Sequence, residues 1–142
     1  MFQAWDKKFL DMAEMVSLWS KDPSTKVGAV IVDKNNRLVS VGYNGFPRGI
    51  PDDERLKQRD KKYDIIVHAE MNAILFANVP IQGFTLYTYP FEPCSRCAGV
   101  IIQTGISRVV SLPNKEDRWE ANFEISRNLF KEAGVKLEYY EP

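Results

Sequence analysis

His68, Cys94 and Cys97 are the side chains in this 142-residue chain best suited to hold a transition metal, and each is scarce: the chain has one histidine and two cysteines. Two thiolates and one imidazole make three good ligands for a zinc ion, with no fourth of the same kind. Structural zinc sites usually close all four positions with Cys and His, whereas catalytic sites leave one for water. The set therefore suggests an open metal, and Glu70, two residues after the histidine, sets a carboxylate beside it. Zinc lowers the pKa of a bound water to about 7, and a carboxylate in reach can carry the proton released. Other chemistries fit less well. A zinc ribbon needs a second ligand pair that the chain lacks, and a thioredoxin-like Cys-x-x-Cys leaves His68 and Glu70 without a role.

Those residues fall where secondary structure can aim them. The pattern predicts a helix over 68–78, rich in strong helix formers such as Ala69, Met71, Ala73 and Leu75, with His68 at its start. Its apolar residues surround it, which predicts a central, buried helix. A further helix runs from 94 or 95 to Gly105, a C-terminal stop, with both cysteines in its first turn. Two helix N-termini can then converge on one point, their positive ends facing thiolate and hydroxide charge. A Cys-x-x-Cys at a helix start also has depressed thiol pKa values.

Around this pair the chain alternates. An amphipathic helix is expected over 4–20, with Trp5, Phe9, Met12, Ala13, Val16 and Trp19 on a stripe that reads as core or subunit contact. Asp22-Pro23 is expected to end it. Residues 27–33 and 37–43 read as a hairpin around Lys34-Asn35-Asn36, its first strand apolar enough to be buried on both faces. Residues 46–63 form a long irregular connection of mixed charge, a solvated loop or short surface helix, with a lid over a phosphate as the functional alternative. Strands follow at 84–89, 107–112 and 135–140. A last helix over 117–133 turns Trp119, Phe123, Leu129 and Phe130 toward the sheet. The order predicts an α/β layer protein whose later strands are joined by helical crossovers.

Composition excludes several classes. At 44% hydrophobic and 12% aromatic residues the chain can bury a core, and its length suits one domain spanning residues 1–142. A formal net charge of zero disfavours a nucleic-acid partner. No apolar run approaches the roughly 18 residues that span a bilayer. Two cysteines in a Cys-x-x-Cys spacing, with no signal-peptide pattern, point to a reducing, cytoplasmic setting.

His-x-Glu followed by Pro-Cys-x-x-Cys is a signature of zinc-dependent nucleobase deaminases. Beyond that signature, Ser20-Lys21-Asp22-Pro23-Ser24-Thr25-Lys26-Val27-Gly28-Ala29, Gly42-Tyr43-Asn44-Gly45-Phe46-Pro47, His68-Ala69-Glu70-Met71-Asn72-Ala73-Ile74 and Ile101-Ile102-Gln103-Thr104-Gly105-Ile106 carry a resemblance over nearly the whole chain. The chain resembles the deoxycytidylate (dCMP) deaminase family, within the zinc-dependent cytidine deaminase superfamily.

The resemblance implies a three-layer α/β/α fold with a five-stranded mixed sheet and helices on both faces. It implies one catalytic Zn²⁺ per chain on His68, Cys94 and Cys97, with Glu70 as the proton shuttle. Asn44 matches a residue that meets the sugar hydroxyl, Ala69 offers a backbone amide to the pyrimidine carbonyl, and Thr25 and Lys26 are candidates for the phosphate end. The implied reaction is hydrolysis of dCMP to dUMP and ammonia, feeding thymidylate synthesis. A homo-oligomer, a hexamer in many members, is implied, as are dCTP and dTTP effectors, with Mg²⁺ accompanying the triphosphate. The segment from Tyr87 to Cys94 is about one residue longer than the family pattern, and it walls the pocket. That leaves open another free cytosine nucleotide, dCTP or a 5-substituted dCMP, as substrate. A non-catalytic, zinc-stabilised interaction module is the alternative from another class.

Overall fold

The computed structural model describes residues 2–141, so Met1 and Pro142 of the expected 1–142 unit lie outside the described residues. Five strands form one mixed sheet in the order β2-β1-β3-β4-β5. Strands β1 (Gly28–Val32) and β2 (Leu38–Tyr43) pair as the expected antiparallel hairpin, and β1 pairs antiparallel with β3 (Thr85–Tyr89) on its other side. Strands β3, β4 (Arg108–Ser111) and β5 (Lys136–Tyr139) run parallel. Every residue of β1 is buried, as its unbroken apolar run predicted.

Alternation along the strands builds two cores. Val30 and Val32 of β1, Tyr87 of β3 and Val110 of β4 meet Phe9, Leu10 and Ala13 of α1 (Phe2–Ser17). Ala29, Ile31, Leu86 and Val109 point to the opposite face, where α3 (Ala69–Phe76), α4 (Ser95–Thr104) and α5 (Glu120–Ala133) lie. The crossover helices α4 and α5 share that face, as right-handed connections between successive parallel strands require. A three-layer α/β/α arrangement with helices on both faces is therefore what the chain adopts. Among the described residues no helix is long and apolar enough to cross a membrane.

Several expectations change. Helix α1 stops at Ser17, short of residue 20, and the chain then turns through Leu18 and Trp19. Trp5 and Trp19 remain exposed, Trp5 stacked on Phe9 at the margin of the stripe and Trp19 set edge-on to Tyr43. Helix α3 is not buried all round: Leu75 is 68% exposed and Phe76 52%. The cause lies in Gly42, where a β-carbon would sit 2.4 Å from both the Ala69 carbonyl oxygen and the Ala73 nitrogen. With β2 backbone so close, the small Ala69 and Ala73 take the inward face, Met71 and Ile74 pack at its margin, and Leu75 and Phe76 face out. The 46–63 connection contains a 3₁₀ turn (Glu54–Lys57) and runs into a short helix, α2 (Arg59–Ile65). Leu129 is 36% exposed rather than packed on the sheet.

Candidate metal centre and active-site cavity

His68 and Cys94 occupy equivalent positions, each the N-cap of its helix, His68 on α3 and Cys94 on α4. Each has extended backbone, and its carbonyl accepts the first helical hydrogen bond, from Asn72 at 3.0 Å and from Ala98 at 2.9 Å. His68 is held from behind by a two-way backbone bridge between Val67 and Gly45. The cysteine turn is held by α5. Asn122 accepts from the Ser95 N–H at 2.9 Å and donates to the Ser95 hydroxyl at 3.0 Å, while Ser126 donates to the Pro93 carbonyl at 2.6 Å.

These two helix starts bring the three expected ligands together. The Nδ1 of His68 lies 3.2 Å from Cys97 Sγ and 3.5 Å from Cys94 Sγ, and all three ligand atoms lie within 4.8 Å of one another. A tetrahedral zinc with ordinary Zn–S and Zn–N bonds sets neighbouring N and S ligands about 3.5 Å apart. Both the donor set and its spacing therefore fit Zn²⁺. Cys97 is buried and Cys94 half-buried, and His68 and Cys94 line the cavity in front of the cluster. The Cys94 thiol is pushed down, chiefly by a hydrogen bond from Cys97, and Cys97 is correspondingly pushed up. His68 is raised, chiefly by its hydrogen bond with Cys94.

Glu70, in the first turn of α3, is 4% exposed yet lines the cavity in front of the cluster. Burial pushes its carboxyl up to about 7, against the opposing pull of His68. A carboxyl near neutrality both accepts and returns a proton under ordinary conditions. The cavity measures about 490 Å³ and brings His68, Glu70, Ala69, Asn44 and Thr25 onto one surface, with Cys94 at its edge.

Lys26 departs from this group. It lines an adjoining groove, and its ammonium donates to the Ser20 carbonyl at 2.5 Å. The buried cation at the site is instead Lys62 of α2, whose Nζ donates to Asp22 at 3.0 Å and Ser24 at 3.3 Å. Trp119 also departs from expectation: it lies in a 3₁₀ turn ahead of α5 and lines the cavity with Phe91 and Phe123. Nothing in the mixed-charge run around Lys62 separates it from its solvated neighbours. Asp22 does carry a local signal, an Asp-Pro-Ser-Thr stretch of the kind whose carboxylate bonds nearby backbone amides.

A mixed five-stranded sheet with an open His-Cys-Cys metal cluster at two converging helix starts, and a buried carboxylate beside it, defines a zinc-dependent hydrolase of the deaminase type. The model of the family described as the cytidine and deoxycytidylate deaminase zinc-binding region matches residues 3–112, and the chain belongs to that family. It is 48% identical over 140 residues to an uncharacterized deaminase in the luxG 3′ region of Aliivibrio fischeri, covering 96% of this chain and 94% of that one. It is 39% identical over 146 residues to the human deoxycytidylate deaminase, covering 97% and 80%. Among solved structures, the dCMP deaminase of cyanophage S-TIM5 in complex with dCMP and dUMP superposes with a TM-score of 0.76 at 27% identity, covering 94% and 95%.

Proposed function

We propose that this chain deaminates dCMP to dUMP and ammonia by zinc-assisted hydrolysis. The observation that carries the reading is a cluster of three metal-ligand atoms within 4.8 Å of one another, reached from a cavity that His68, Cys94 and the buried Glu70 line. It is joined by relatives named deoxycytidylate deaminase that match 97% of this chain and 80% of their own length. Held by His68, Cys94 and Cys97, one zinc ion per chain would supply the Lewis acidity that makes water a nucleophile near neutral pH.

The remaining work falls to the chain's own groups. Glu70 takes a proton from the attacking water and places it on N3 of the cytosine as C4 becomes tetrahedral, then takes the proton of the new C4 hydroxyl and delivers it to the departing amine as the carbonyl forms. The balance is one water and one dCMP in, one dUMP and one ammonia out. The Ala69 N–H, in the first turn of α3, holds the pyrimidine carbonyl, and Asn44 meets the sugar hydroxyl. Thr25 lies at the phosphate end. Phe91, Trp119 and Phe123 form the apolar side of the cavity and keep bulk water from the base.

The product feeds thymidylate synthesis in the cytoplasm, and the working enzyme is a single-domain chain in a homo-oligomer, a hexamer. Regulation by dCTP and dTTP, with Mg²⁺ on the triphosphate, belongs to the same reading. A second substrate reading, a cytosine nucleotide with a longer phosphate chain, draws on the adjoining groove of about 1030 Å³. That groove shares Thr25 and Phe91 with the site and carries Lys26, Lys115 and Arg118. The test offers purified protein dCMP, CMP, dCTP, cytidine and single-stranded DNA and follows ammonia release with and without a chelator. Chelator-sensitive turnover with dCMP preferred is expected. Zinc-replete protein that turns over no cytosine substrate would end the reading.

A further inference from the structure

Lys62 is an unusual residue to bury. Its side chain is 5% exposed and that of its partner Asp22 4%, in a chain segment where Lys57, Arg59 and Lys61 all face solvent. Taking an ion pair out of water costs several kcal/mol per ion, and packed apolar side chains often stabilise a fold as well or better. The pair therefore calls for a reason in the cavity it lines, and the hydrogen bonds around Asp22 supply one.

One oxygen of Asp22 accepts from the Ser24 N–H at 2.8 Å, the Thr25 N–H at 3.3 Å and the Lys62 ammonium at 3.0 Å. Its other oxygen accepts from the Asn44 amide nitrogen at 3.3 Å. Asn44 has no freedom left in its orientation. Its Nδ2 donates to Asp22 and, at 2.9 Å, to the Thr25 carbonyl, and its Oδ1 accepts from the Val27 N–H at 2.9 Å. Flipping the carboxamide would oppose donor to donor at Val27 and acceptor to acceptor at Thr25 and Asp22. Both amide protons are engaged, so the carboxamide can offer the cavity only the second lone pair of Oδ1. An acceptor of that kind reads a hydroxyl proton.

We propose that Lys62, acting through Asp22, is a positioning residue that holds Asn44 as an acceptor-only reader of the sugar hydroxyl. The inference rests on the dCMP reading above and sharpens it. In dCMP the one free sugar hydroxyl is the 3′ one. A site built this way takes a mononucleotide whose 3′ oxygen carries a proton, and it rejects the same unit when that hydroxyl is missing or esterified within a polynucleotide. Removing the ammonium leaves Asp22 without its counter-ion and loosens its hold on Asn44. The loss therefore falls on substrates that use Asn44.

The experiment compares kcat/KM for dCMP with that for 2′,3′-dideoxycytidine 5′-monophosphate, which lacks only the 3′ hydroxyl. Wild type is expected to prefer dCMP by a factor of 100 or more, because a site built to bond a hydroxyl discriminates strongly against its absence. Lys62→Met is expected to shrink that preference at least about tenfold, through a rise in KM for dCMP with the dideoxy nucleotide little changed. Asp22→Asn is the second variant, for the case that Lys62→Met does not fold. One amide oxygen still accepts from the turn, but an NH₂ group now opposes the Asn44 amide, and the same collapse of preference is expected. Both substrates falling by one common factor, or neither changing, would overturn the positioning role and leave the dCMP reading standing. Wild type inactive on every cytosine nucleotide would overturn the functional reading and this inference with it.

Discussion

The two walls of the cavity are secured by different physics. On the cysteine side α5 and the sheet hold the chain largely through hydrogen bonds between neutral groups: Asn122 on Ser95, Ser126 on the Pro93 carbonyl, and the Thr88 hydroxyl on the Phe91 carbonyl at 2.9 Å. The buried charge there, Glu92, is 1% exposed and takes hydrogen bonds from Arg127 at 2.8 Å and Tyr139 at 2.5 Å. The Arg127 side chain is still 34% exposed, so that cation keeps part of its water. On the Asn44 side the fastening is Asp22–Lys62, with both ions sealed. The wall that must hold a metal cluster is thus fixed by many small contacts, each replaceable. The wall that must read the sugar adds one expensive pair to the bonds Asn44 makes with Thr25 and Val27, and a change to that pair should reach substrate choice directly.

Breaking the metal cluster, where the two helix starts meet, should have the largest effect. Cys97→Ser and His68→Ala are each expected to lose the zinc and with it all measurable deamination. Elemental analysis of the purified variants and ammonia release check this together. Glu70→Gln keeps all three ligands and is expected to keep its zinc, yet to lose about 10²–10⁴-fold in kcat with dCMP, the usual worth of a positioned acid–base group. A zinc-loaded Glu70→Gln with full activity would remove Glu70 from the mechanism.

Stability then separates the walls. Lys62→Met strands a buried carboxylate and is expected to destabilise the protein by about 3–5 kcal/mol in urea unfolding. Arg127→Met strands Glu92 only in part, because Tyr139 still donates to it, and should cost about 1.5–3 kcal/mol. If Arg127→Met proves the more damaging, the contrast between the walls is wrong. Asn122→Ala removes two neutral bonds at the start of α4 and should cost about 1–2 kcal/mol with the zinc retained.

The asymmetry also explains what could be read in advance. His68, Cys94, Cys97 and Glu70 are legible because the chemistry is local to two short motifs and the residue types are rare in the chain. The succession of helices and strands along the chain follows from hydrophobic periodicity and the breakers between runs. Lys62 was illegible because its role depends on Asp22, forty positions away, and its own neighbourhood is a run of ordinary surface charge. Trp119 leaves the expected stripe for a geometric reason. The 3₁₀ turn over Asp117–Trp119 is wound more tightly than α5, so the 3.6-residue stripe that places Phe123 and Phe130 inward does not extend back to it. The outward Leu75 and Phe76 are likewise a tertiary effect, set by how closely Gly42 lets β2 approach α3.

Lys26 gives the finest test of the comparison, because sequence and structure assign it differently. By position it precedes β1 beside Thr25 and reads as a phosphate contact. In the fold its ammonium bonds the Ser20 carbonyl and its side chain lies along the neighbouring groove, outside the cavity that holds Asn44 and His68. Lys26→Met is therefore expected to change kcat/KM for dCMP by less than about threefold, well below the change from Lys62→Met. The same variant assayed with dCTP probes the groove, where Lys115 and Arg118 stand with it. A loss with dCTP but not with dCMP would assign the groove to the longer phosphate chain. A loss with dCMP as large as that of Lys62→Met would return the phosphate end to Lys26 and remove the distinction drawn between these two lysines.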